Sequence, residues 1–412
     1  MDDALYARYE SQTKGSRRLF RRLSRSLPGG ETRSVTFYRP YPIALARGEG
    51  CRVRDVDGNE YLDVLNNYTS LVHGHAHPEI VHAIHAAAAD GTAFPAPFPE
   101  QAELAELLTS RYPAVERVRF TNSGTEAALL ALRIARKATG RRRVVLFEGG
   151  YHGTVPGFTE PDPDVIHLPF NDGASLRASV DEHVAAVFVE PFLGSGGVIT
   201  STRSFLREIR TVTASEGTVF VLDEVQSLRN HPNGTHAAEN VTPDLVLMGK
   251  IIGGGLPVGA VGGRADLLEL TAADRDGSLL HPGTFNGNRV TVAAGLACMR
   301  LLDEPAILRL NRLAERAAEG IGDAAAAHDV PAVVTRAGSI LHVHAGTRDP
   351  MLPGPPGLQD ALHIALLLEG VYAAPRGMLN LSTAIDGLGV ELVVDAYGRA
   401  FAETAPWMKA AS

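Results

Sequence analysis

Residues 219–255 read VFVLDEVQSLRNHPNGTHAAENVTPDLVLMGKIIGGG, and this stretch decides the fold. It contains two short apolar runs, Val219–Leu222 and Leu245–Met248, each rich in β-branched or large residues and bounded by polar or glycine segments. Runs of this kind are typical of strands that are buried on both faces of a parallel sheet. The stretch therefore predicts two buried strands of an α/β sheet.

Each of these runs delivers a reactive group near the end of its strand. Asp223 follows the first run directly, and Lys250 lies just beyond the second. In open α/β sheets, ligands bind outside the carboxyl ends of the strands. A lysine and a carboxylate brought together there suit pyridoxal 5′-phosphate, which needs an amine for a Schiff base and an anion to keep its pyridine nitrogen protonated. Taken singly, a helix-capping Asp or a solvated Lys is the better explanation, because such residues are mostly exposed.

Composition excludes several classes of protein. The chain has 412 residues, with 45% hydrophobic residues, 21% charged residues and a formal net charge of −8. This is globular rather than disordered, and it lacks the basic surplus of a nucleic-acid binder. The two cysteines, Cys51 and Cys298, form no metal-binding or redox pair, and no apolar run is long enough to span a membrane. We therefore expect a cytoplasmic protein.

The predicted secondary-structure pattern changes along the chain. A basic N-terminal helix up to about residue 27 precedes an antiparallel meander with a turn at Asp57–Asn59. From Val118 onwards, short apolar runs alternate with helical segments, which predicts a mostly parallel sheet covered on both faces. We therefore predict a large α/β domain at residues 70–295, and a smaller α+β domain that combines residues 1–69 with residues 296–412.

Two small, polar loops are candidate phosphate sites. Ser123, Gly124 and Thr125 lie between a predicted strand and a long helix, where backbone N–H groups and the helix dipole favour an anion. The loop at residues 281–288, HPGTFNGN, contains Thr284 and also precedes a helix. For both loops, ordinary helix capping is an alternative that the same residues can satisfy.

The segment Glu148–Gly153 follows another predicted strand and contains Tyr151 and His152. Its two glycines allow a tight bend, and the ring of Tyr151 offers a face on which a planar cofactor can stack. Core packing is the alternative for such an aromatic.

Two further motifs suggest a metal site and a nucleotide site, but neither pattern is complete. The run His73, His75 and His77 lacks the separated ligands of a usual zinc site, so we predict no metal. The Gly249–Lys250 pair does not complete a nucleotide-binding P-loop, since Asp244 replaces the first glycine.

Six motifs occur in an order that resembles the class III aminotransferases of the pyridoxal-phosphate fold type I. They are FTNSGTEA, FEGGYHG, FVEP, LDEVQS, MGKIIGGG and HPGTFNGN, and the resemblance extends from about Pro28 to Ile385. Within that class the chain is most similar to β-amino-acid (β-phenylalanine) aminotransferases and to glutamate-1-semialdehyde 2,1-aminomutases.

The resemblance implies a role for each matching residue. Lys250 would form the Schiff base and then carry protons as general acid and base, and Asp223 would pair with the pyridinium nitrogen. The remaining cofactor contacts would be Val225 and Tyr151 on the ring faces, His152, Gln226 near the phenolic oxygen, and Ser123, Gly124 and Thr125 on the phosphate. Thr284 would reach that phosphate from the neighbouring subunit, which implies a homodimer with shared active sites.

The resemblance also implies how substrates bind. Arg33 and Arg376 match arginines that hold substrate carboxylates, for which a bidentate guanidinium is well suited. A surface salt bridge is the alternative for either residue. One departure concerns Glu190–Ser195, which lacks the second glutamate that gates the C-terminal arginine in many ω-aminotransferases.

Three functions follow as hypotheses. The first is a ping-pong aminotransferase that acts on a β-amino acid, or a related carboxylated amine, with a 2-oxo acid as partner. The second is a glutamate-1-semialdehyde-type aminomutase, which moves the amino group within one molecule and needs no external acceptor. The third is a non-catalytic protein of the same fold, which an intact Asp223–Lys250 pair disfavours.

Overall fold

The computed structural model describes residues 3–410 of the chain. The backbone divides into two compact units. One is Pro78–Leu308, and the other joins the N-terminal segment up to His77 to the C-terminal segment from Arg309. The domain limits at residues 69/70 and 295/296 stay a prediction. No helix between residues 3 and 410 combines the length and apolarity needed to cross a bilayer.

The strands of the described chain number sixteen. In chain order they are β1 Leu45–Glu49, β2 Arg52–Asp55, β3 Glu60–Asp63, β4 Arg117–Thr121, β5 Arg143–Phe147, β6 Val165–Leu168, β7 Val184–Val189, β8 Phe192–Leu193, β9 Ile199–Thr200, β10 Val219–Asp223, β11 Leu245–Gly249, β12 Gly259–Gly263, β13 Ala332–Ala337, β14 Ile340–Ala345, β15 Val371–Tyr372 and β16 Met378–Asn380.

The same part of the chain forms fourteen α-helices. They are α1 Asp3–Gln12, α2 Lys14–Leu23, α3 Asn66–Thr69, α4 Pro78–Ala89, α5 Pro99–Arg111, α6 Gly124–Thr139, α7 Gly173–Ser179, α8 Arg203–Glu216, α9 Gly234–Glu239, α10 Ala265–Leu268, α11 Arg289–Leu301, α12 Glu304–Ala327, α13 Leu358–Leu368 and α14 Gly387–Ala410.

The unit Pro78–Leu308 is built on a seven-stranded sheet with the order β4-β12-β11-β10-β7-β5-β6. Strands β11, β10, β7, β5 and β6 pair in parallel, so the predicted mostly parallel sheet is confirmed. Alternate residues of its strands enter two separate apolar clusters: Val221 and Phe188 pack with α6 on one face, and Phe220 and Val187 pack with α8 on the other. Burial on both faces explains why these strands read as continuous apolar runs.

Strand β12 is antiparallel to both of its neighbours, β11 and β4, and sequence analysis did not predict it. Its sequence is GAVGG, and glycine is depleted in ordinary strands. The structure shows why glycine is needed here. A Cβ added to Gly259 would lie 2.0 Å from the carbonyl oxygen of Ser123, so only glycine allows the two backbones to approach.

The unit that combines the two termini contains two small sheets. Strands β1, β2 and β3 form the predicted meander, and β15 joins β3 in parallel. A second sheet has the order β13-β14-β16. The predicted single N-terminal helix is instead two helices, α1 and α2, which are separated at Thr13.

The short element α3, which follows β3 in this unit, is a left-handed turn. Asn66, Asn67, Tyr68 and Thr69 have φ values of +47°, +48°, +55° and +74°. Left-handed geometry costs a non-glycine residue on the order of 1–2 kcal/mol, and the cost is least for asparagine. The carboxylate of Asp63 offsets part of it by accepting hydrogen bonds from the amides of Leu65 and Asn66, at 2.7 and 2.9 Å.

Candidate active site

The sheet of the unit Pro78–Leu308 gathers the predicted motifs at one edge. Strands β5, β7, β10 and β11 run in the same direction, and β4 runs with them because it is antiparallel to the antiparallel strand β12. The segments that follow these strands therefore emerge at a common carboxyl edge, where α/β proteins bind ligands. They contain, in chain order, Ser123, the pair Tyr151–His152, Glu190, Asp223 and Lys250.

Asp223 is the last residue of β10, and its side chain is buried. A buried carboxylate requires hydrogen-bond partners to remain ionised. One oxygen lies 2.9 Å from Nδ1 of His152, and the other accepts a 3.0 Å hydrogen bond from the amide of Val225. The structure thus places His152 against Asp223, a contact that sequence analysis did not predict.

The imidazole of His152 is itself enclosed. Its ring centroid lies 5.8 Å from that of Phe188, which belongs to the sheet. Burial lowers the pKa of His152, but the hydrogen bond to Asp223 and the charges of Asp223 and Glu190 outweigh burial, so the pKa rises above its usual value. The protonated ring is therefore favoured, and it lies within hydrogen-bond distance of the Asp223 carboxylate.

Glu190 is a third buried ionisable group at this edge, and no role was assigned to it from the sequence. It follows β7, and its oxygens accept hydrogen bonds from the amides of Tyr151 (2.9 Å) and Gly194 (3.2 Å). Burial and the charge of Asp223 raise the pKa of Glu190 to about 7, although His152 and the two amides oppose this. The motif FVEP marks the position, but a pattern of residue types does not reveal that the carboxylate points inwards.

Lys250 begins the segment after β11 and has φ of +51°. It lies three residues beyond Leu247, which pairs with Asp223 in the parallel register. A left-handed conformation is uncommon for a residue with a long side chain, and such strain concentrates at functional sites. The half-buried lysine is therefore held in a defined orientation at the strand end next to Asp223.

Val225 lies between two glycines that come from different strand ends. A Cβ added to Gly124 would lie 3.5 Å from Val225, and one added to Gly249 would lie 3.3 Å away. A Cβ at Gly249 would crowd the valine methyl groups, whereas one at Gly124 would make an ordinary van der Waals contact with them. The arrangement gives a small apolar platform next to Asp223 and Lys250.

The N-terminus of α6 supplies hydrogen-bond donors. Ser123 is the N-cap, and its hydroxyl accepts a 3.2 Å hydrogen bond from the amide of Glu126. The amides of Gly124 and Thr125 belong to the first helical turn, where donors have no partner within the helix. Capping and anion binding are thus compatible here. Ser123 accepts the hydrogen bond of the Glu126 amide, and the amides of Gly124 and Thr125 are left for a ligand.

Tyr151 and Gln226 are the remaining predicted contacts in this unit. The side chain of Tyr151 is 47% exposed, which leaves its ring accessible to a planar ligand. The side-chain oxygen of Gln226 is buried and has no hydrogen-bond partner within residues 3–410. A buried polar atom without a partner is costly, so this oxygen indicates the position of a ligand group.

The loop with Thr284 is exposed on this unit. Asn286 anchors it by accepting a 2.9 Å hydrogen bond from the side chain of Asn122, which adjoins Ser123. Thr284 itself is exposed, and Leu280 and Phe285 are 76% and 60% exposed. The loop and its flanking residue Leu280 therefore present two large apolar side chains at the surface of this unit.

The two predicted substrate arginines belong to the other unit. The Cζ atom of Arg33 lies 5.2 Å from the ring centroid of Tyr68, and that of Arg376 lies 5.9 Å from the same centroid. No carboxylate in the described part of the chain forms an ion pair with either guanidinium. Within residues 3–410 neither arginine takes part in a salt bridge, and the substrate role of both stays a prediction.

The histidine run lies in this second unit and has structural partners. Nε2 of His75 lies 2.6 Å from the Asp63 carboxylate, and Nδ1 of His73 lies 2.9 Å from the Thr383 hydroxyl. Among the residues that the structure describes, no three His, Cys, Asp or Glu side chains are grouped as metal ligands.

The residues at the carboxyl edge fit pyridoxal phosphate. Lys250 would supply the amine, Asp223 the buried anion for a ring nitrogen, and Val225 an apolar surface for a ring face. The orphaned oxygen of Gln226 and the donors at the start of α6 fit the phenolic oxygen and the phosphate.

Known proteins that are similar to this chain are aminotransferases and aminomutases. The family model described as aminotransferase class-III matches residues 35–385. The β-phenylalanine transaminase of Variovorax paradoxus is 38% identical over 416 residues, which cover 97% of this chain and 96% of that protein. A glutamate-1-semialdehyde 2,1-aminomutase of Rhodopirellula baltica is 38% identical over 350 residues, with coverages of 78% and 79%. A solved structure of a transaminase with PLP bound matches with a TM-score of 0.90 at 30% identity, and covers 96% of this chain and 99% of that one.

The raised pKa of Glu190 predicts a pH-dependent stability of the cofactor-free protein. A folded-state pKa of about 7 lies above the ordinary value of 4.5, so the group contributes stability at low pH that is lost as the pH rises through 7. His152 acts in the same direction, because its pKa is also raised. Glu190→Gln should therefore increase Tm relative to the wild type more at pH 8 than at pH 5, as measured by calorimetry.

The exposed Glu148 in the adjacent loop offers a matched control. Glu148→Gln should leave the pH profile of Tm unchanged. A Glu190→Gln profile parallel to that of the wild type between pH 5 and pH 8 would show that the carboxylate does not titrate in this range.

Proposed function

This chain belongs to the class-III aminotransferases, and we propose that it transfers an amino group between a β-amino acid, or a related carboxylated amine, and a 2-oxo acid. The family match and the solved relatives confirm the resemblance inferred from the six motifs, the pyridoxal-phosphate fold type I and pyridoxal phosphate as cofactor. We propose a ping-pong mechanism, in which one pocket takes the two substrates in turn. The proposal rests mainly on Arg33 and Arg376. Both guanidiniums lie against the ring of Tyr68, and neither forms an ion pair with a carboxylate among the described residues.

When bound, pyridoxal phosphate supplies an electron sink that stabilises the carbanion formed next to the reacting nitrogen. Asp223 sustains this chemistry if its carboxylate remains ionised against the ring nitrogen. The 2.9 Å contact with His152 supports that state, because a protonated imidazole favours the charged form of its partner. We therefore assign His152 the role of positioning Asp223.

Lys250 has two proposed tasks. Its Nζ would hold the cofactor covalently before substrate binds, and would then move a proton to and from the reacting carbon. Both tasks require the amine to stay at one place while the substrate changes. The left-handed backbone at Lys250 and the packed strand β11 restrict its position in this way.

The other contacts are proposed to fix the cofactor's orientation. Val225 and Tyr151 would enclose the two faces of the ring, and Gln226 would lie at its phenolic oxygen. The N-terminus of α6, with Ser123, Gly124 and Thr125, would bind the phosphate. Thr284 of the partner subunit would complete the phosphate site, so we propose a homodimer as the active unit.

Arg33 and Arg376 are proposed to bind the carboxylates of the two substrates. A β-amino acid carries its carboxylate one carbon farther from the reacting nitrogen than an α-amino acid does. One guanidinium cannot serve both distances equally well, and two can. The likeness to a β-phenylalanine transaminase over 97% of this chain supports this choice of substrate class.

An aminomutase is the second candidate, because a glutamate-1-semialdehyde 2,1-aminomutase is equally identical over a shorter alignment. Glu190–Ser195 does not separate the two candidates, since its lack of a gating glutamate fits both. A requirement for an external amino acceptor separates the aminotransferase from the aminomutase. Full turnover of a single amino compound without any 2-oxo acid would favour the aminomutase.

The lysine assignment can be tested by chemical trapping. The chain has only four lysines, at positions 14, 137, 250 and 409. Borohydride treatment of the cofactor-loaded protein should attach the cofactor to the peptide that contains Lys250, as identified by mass spectrometry. Lys250→Ala should abolish turnover, whereas Lys137→Ala, at an exposed helix position, should change neither result. An adduct on another lysine would contradict the assignment.

The shared phosphate site predicts a loss of cofactor affinity in Thr284→Ala. Removing a hydrogen bond to a charged group costs about 1–3 kcal/mol, which corresponds to roughly 5- to 150-fold in Kd. Titration of the cofactor-free protein measures this change, and Thr284→Ser should restore most of the affinity because it keeps the hydroxyl. A fully active monomer in analytical sedimentation would exclude the shared site.

The arginines are predicted to affect different half-reactions, which cofactor absorbance follows separately. Arg33→Ala should mainly impair the reaction with the β-amino acid, and Arg376→Ala that with the 2-oxo acid. Loss of a bidentate contact should cost about 2–4 kcal/mol, a roughly 30- to 1000-fold fall in kcat/KM for that half-reaction. Arg47→Ala, at an exposed arginine of the same unit, is the control. Small and equal losses in both half-reactions would indicate that the two arginines are structural.

A further inference from the structure

The left-handed turn at Asn66–Thr69 contains residue types that rarely adopt this conformation. Tyr68 is bulky and Thr69 is β-branched, yet both have positive φ. Such strain persists only where the surrounding structure imposes it, and it is concentrated at functional sites. The turn therefore requires an explanation beyond chain reversal, for which glycine would be sufficient.

The turn is bonded to both chain segments that contain a candidate substrate arginine. The Tyr68 hydroxyl donates a 2.6 Å hydrogen bond to the carbonyl of Val35, two residues after Arg33. The Asn66 amide group donates a 2.7 Å bond to the carbonyl of Asn380, four residues after Arg376. Segments that are far apart in sequence are thus tied to one rigid element.

The ring of Tyr68 lies against both guanidiniums. The distances from its centroid to Cζ are 5.2 Å for Arg33 and 5.9 Å for Arg376, which lie within the range of a cation–π interaction. The ring is only 8% exposed, so its position is fixed by packing. Asn67 adds a second constraint, since its side-chain oxygen accepts a 2.6 Å hydrogen bond from Nη1 of Arg33.

The cluster contains two cations, and no carboxylate in residues 3–410 forms an ion pair with either of them. Burial raises the pKa of Tyr68, although Arg376 and Arg33 oppose this, so the hydroxyl stays neutral at physiological pH. In addition, Nε of Arg376 is buried and has no acceptor in the described part of the chain. Two adjacent guanidiniums without a carboxylate partner favour an anionic ligand, and carboxylate matches their planar geometry.

We propose that the turn at Asn66–Thr69 determines substrate specificity, because Tyr68 and Asn67 position Arg33 and Arg376 as a pair of carboxylate receptors. This inference rests on the function proposed above and identifies what holds its two arginines in place. Tyr68 acts through the arginines and is a positioning residue. Asn67 restrains Arg33 alone, whereas the ring of Tyr68 contacts both guanidiniums.

The direct test is the binding of an unreactive carboxylate to the cofactor-loaded enzyme. The probe is 3-phenylpropanoate, which has no amino group, and calorimetric titration measures its Kd. Tyr68→Leu removes the ring and should weaken binding about tenfold, as expected for the loss of a buried cation–π contact. Tyr68→Phe keeps the ring but loses the hydroxyl bond to Val35, so it should lose clearly less affinity than Tyr68→Leu. Val56→Ala, at an exposed site of the same unit, should have no effect.

The reaction itself supplies a second readout, which a general structural defect would not reproduce. With a β-amino acid, Tyr68→Leu should raise the KM of the half-reaction and leave its limiting rate nearly unchanged. With 1-phenylethylamine, which lacks a carboxylate, the wild type and Tyr68→Leu should give the same half-reaction rate. Equal losses with both amines would overturn the proposal.

Substitutions of Asn67 distinguish the effect of backbone strain in the turn from the effect of the contact between Asn67 and Arg33. Asn67 is exposed, so its side chain can be replaced. Asn67→Gly keeps the left-handed backbone but removes the side-chain oxygen, so it should weaken carboxylate binding without lowering Tm. Asn67→Ala removes the same oxygen and adds strain, so it should weaken binding equally and also lower Tm. These variants retain the test if Tyr68→Leu does not fold.

The outcomes also distinguish this inference from the proposed function. If Arg33→Ala and Arg376→Ala weaken carboxylate binding but Tyr68→Leu and Asn67→Gly do not, the turn has no positioning role and the proposed function stands. If neither arginine variant weakens binding, the substrate side of the proposed function fails as well.

Discussion

The buried hydrogen bond between Asp223 and His152 is the interaction on which the candidate site depends. Strand β10 delivers the carboxylate into an apolar environment, where an unpaired charge would be lost by protonation. His152 pairs with this carboxylate at 2.9 Å, and the charges of Asp223 and Glu190 raise the pKa of its imidazole. The cluster therefore combines two carboxyl groups with one imidazole. The buried carboxylate of Asp223 at this sheet edge fits the protonated pyridine ring of the cofactor of the class-III aminotransferases.

Strained backbone occurs at two places in the chain that are linked to the proposed function. Lys250 is left-handed at the end of β11, and four consecutive left-handed residues form the turn that contains Tyr68. In both cases the surroundings restrain the strained residues. Strand β11 restrains Lys250, and hydrogen bonds with Asp63 and Asn380 restrain the turn. Rigid surroundings let a protein hold reactive or charged side chains in orientations that a relaxed backbone would not give. The specificity of the enzyme is thus proposed to depend on backbone conformation as well as on the arginines themselves.

Much of this architecture could be predicted from the sequence. The runs Val219–Leu222 and Leu245–Met248 gave the central strands, because strands buried on both faces are continuously apolar. Strand β12 could not be predicted, since its glycines are required by close backbone contact with Ser123 rather than by strand propensity. The inward orientation of Glu190 and the left-handed turn at Asn66–Thr69 also escaped prediction. Both depend on contacts between residues far apart in the chain, and local patterns do not encode such contacts.

The most direct test of the central claim is the protonation state of the cofactor's ring nitrogen, measured by ¹⁵N NMR with ring-labelled pyridoxal phosphate. The buried Asp223–His152 pair predicts a protonated nitrogen throughout pH 6 to pH 8 in the wild-type protein. It also predicts an unprotonated nitrogen in Asp223→Asn, which retains the shape of the side chain without its charge. A nitrogen that is unprotonated in the wild type, or equally protonated in both proteins, would contradict the account.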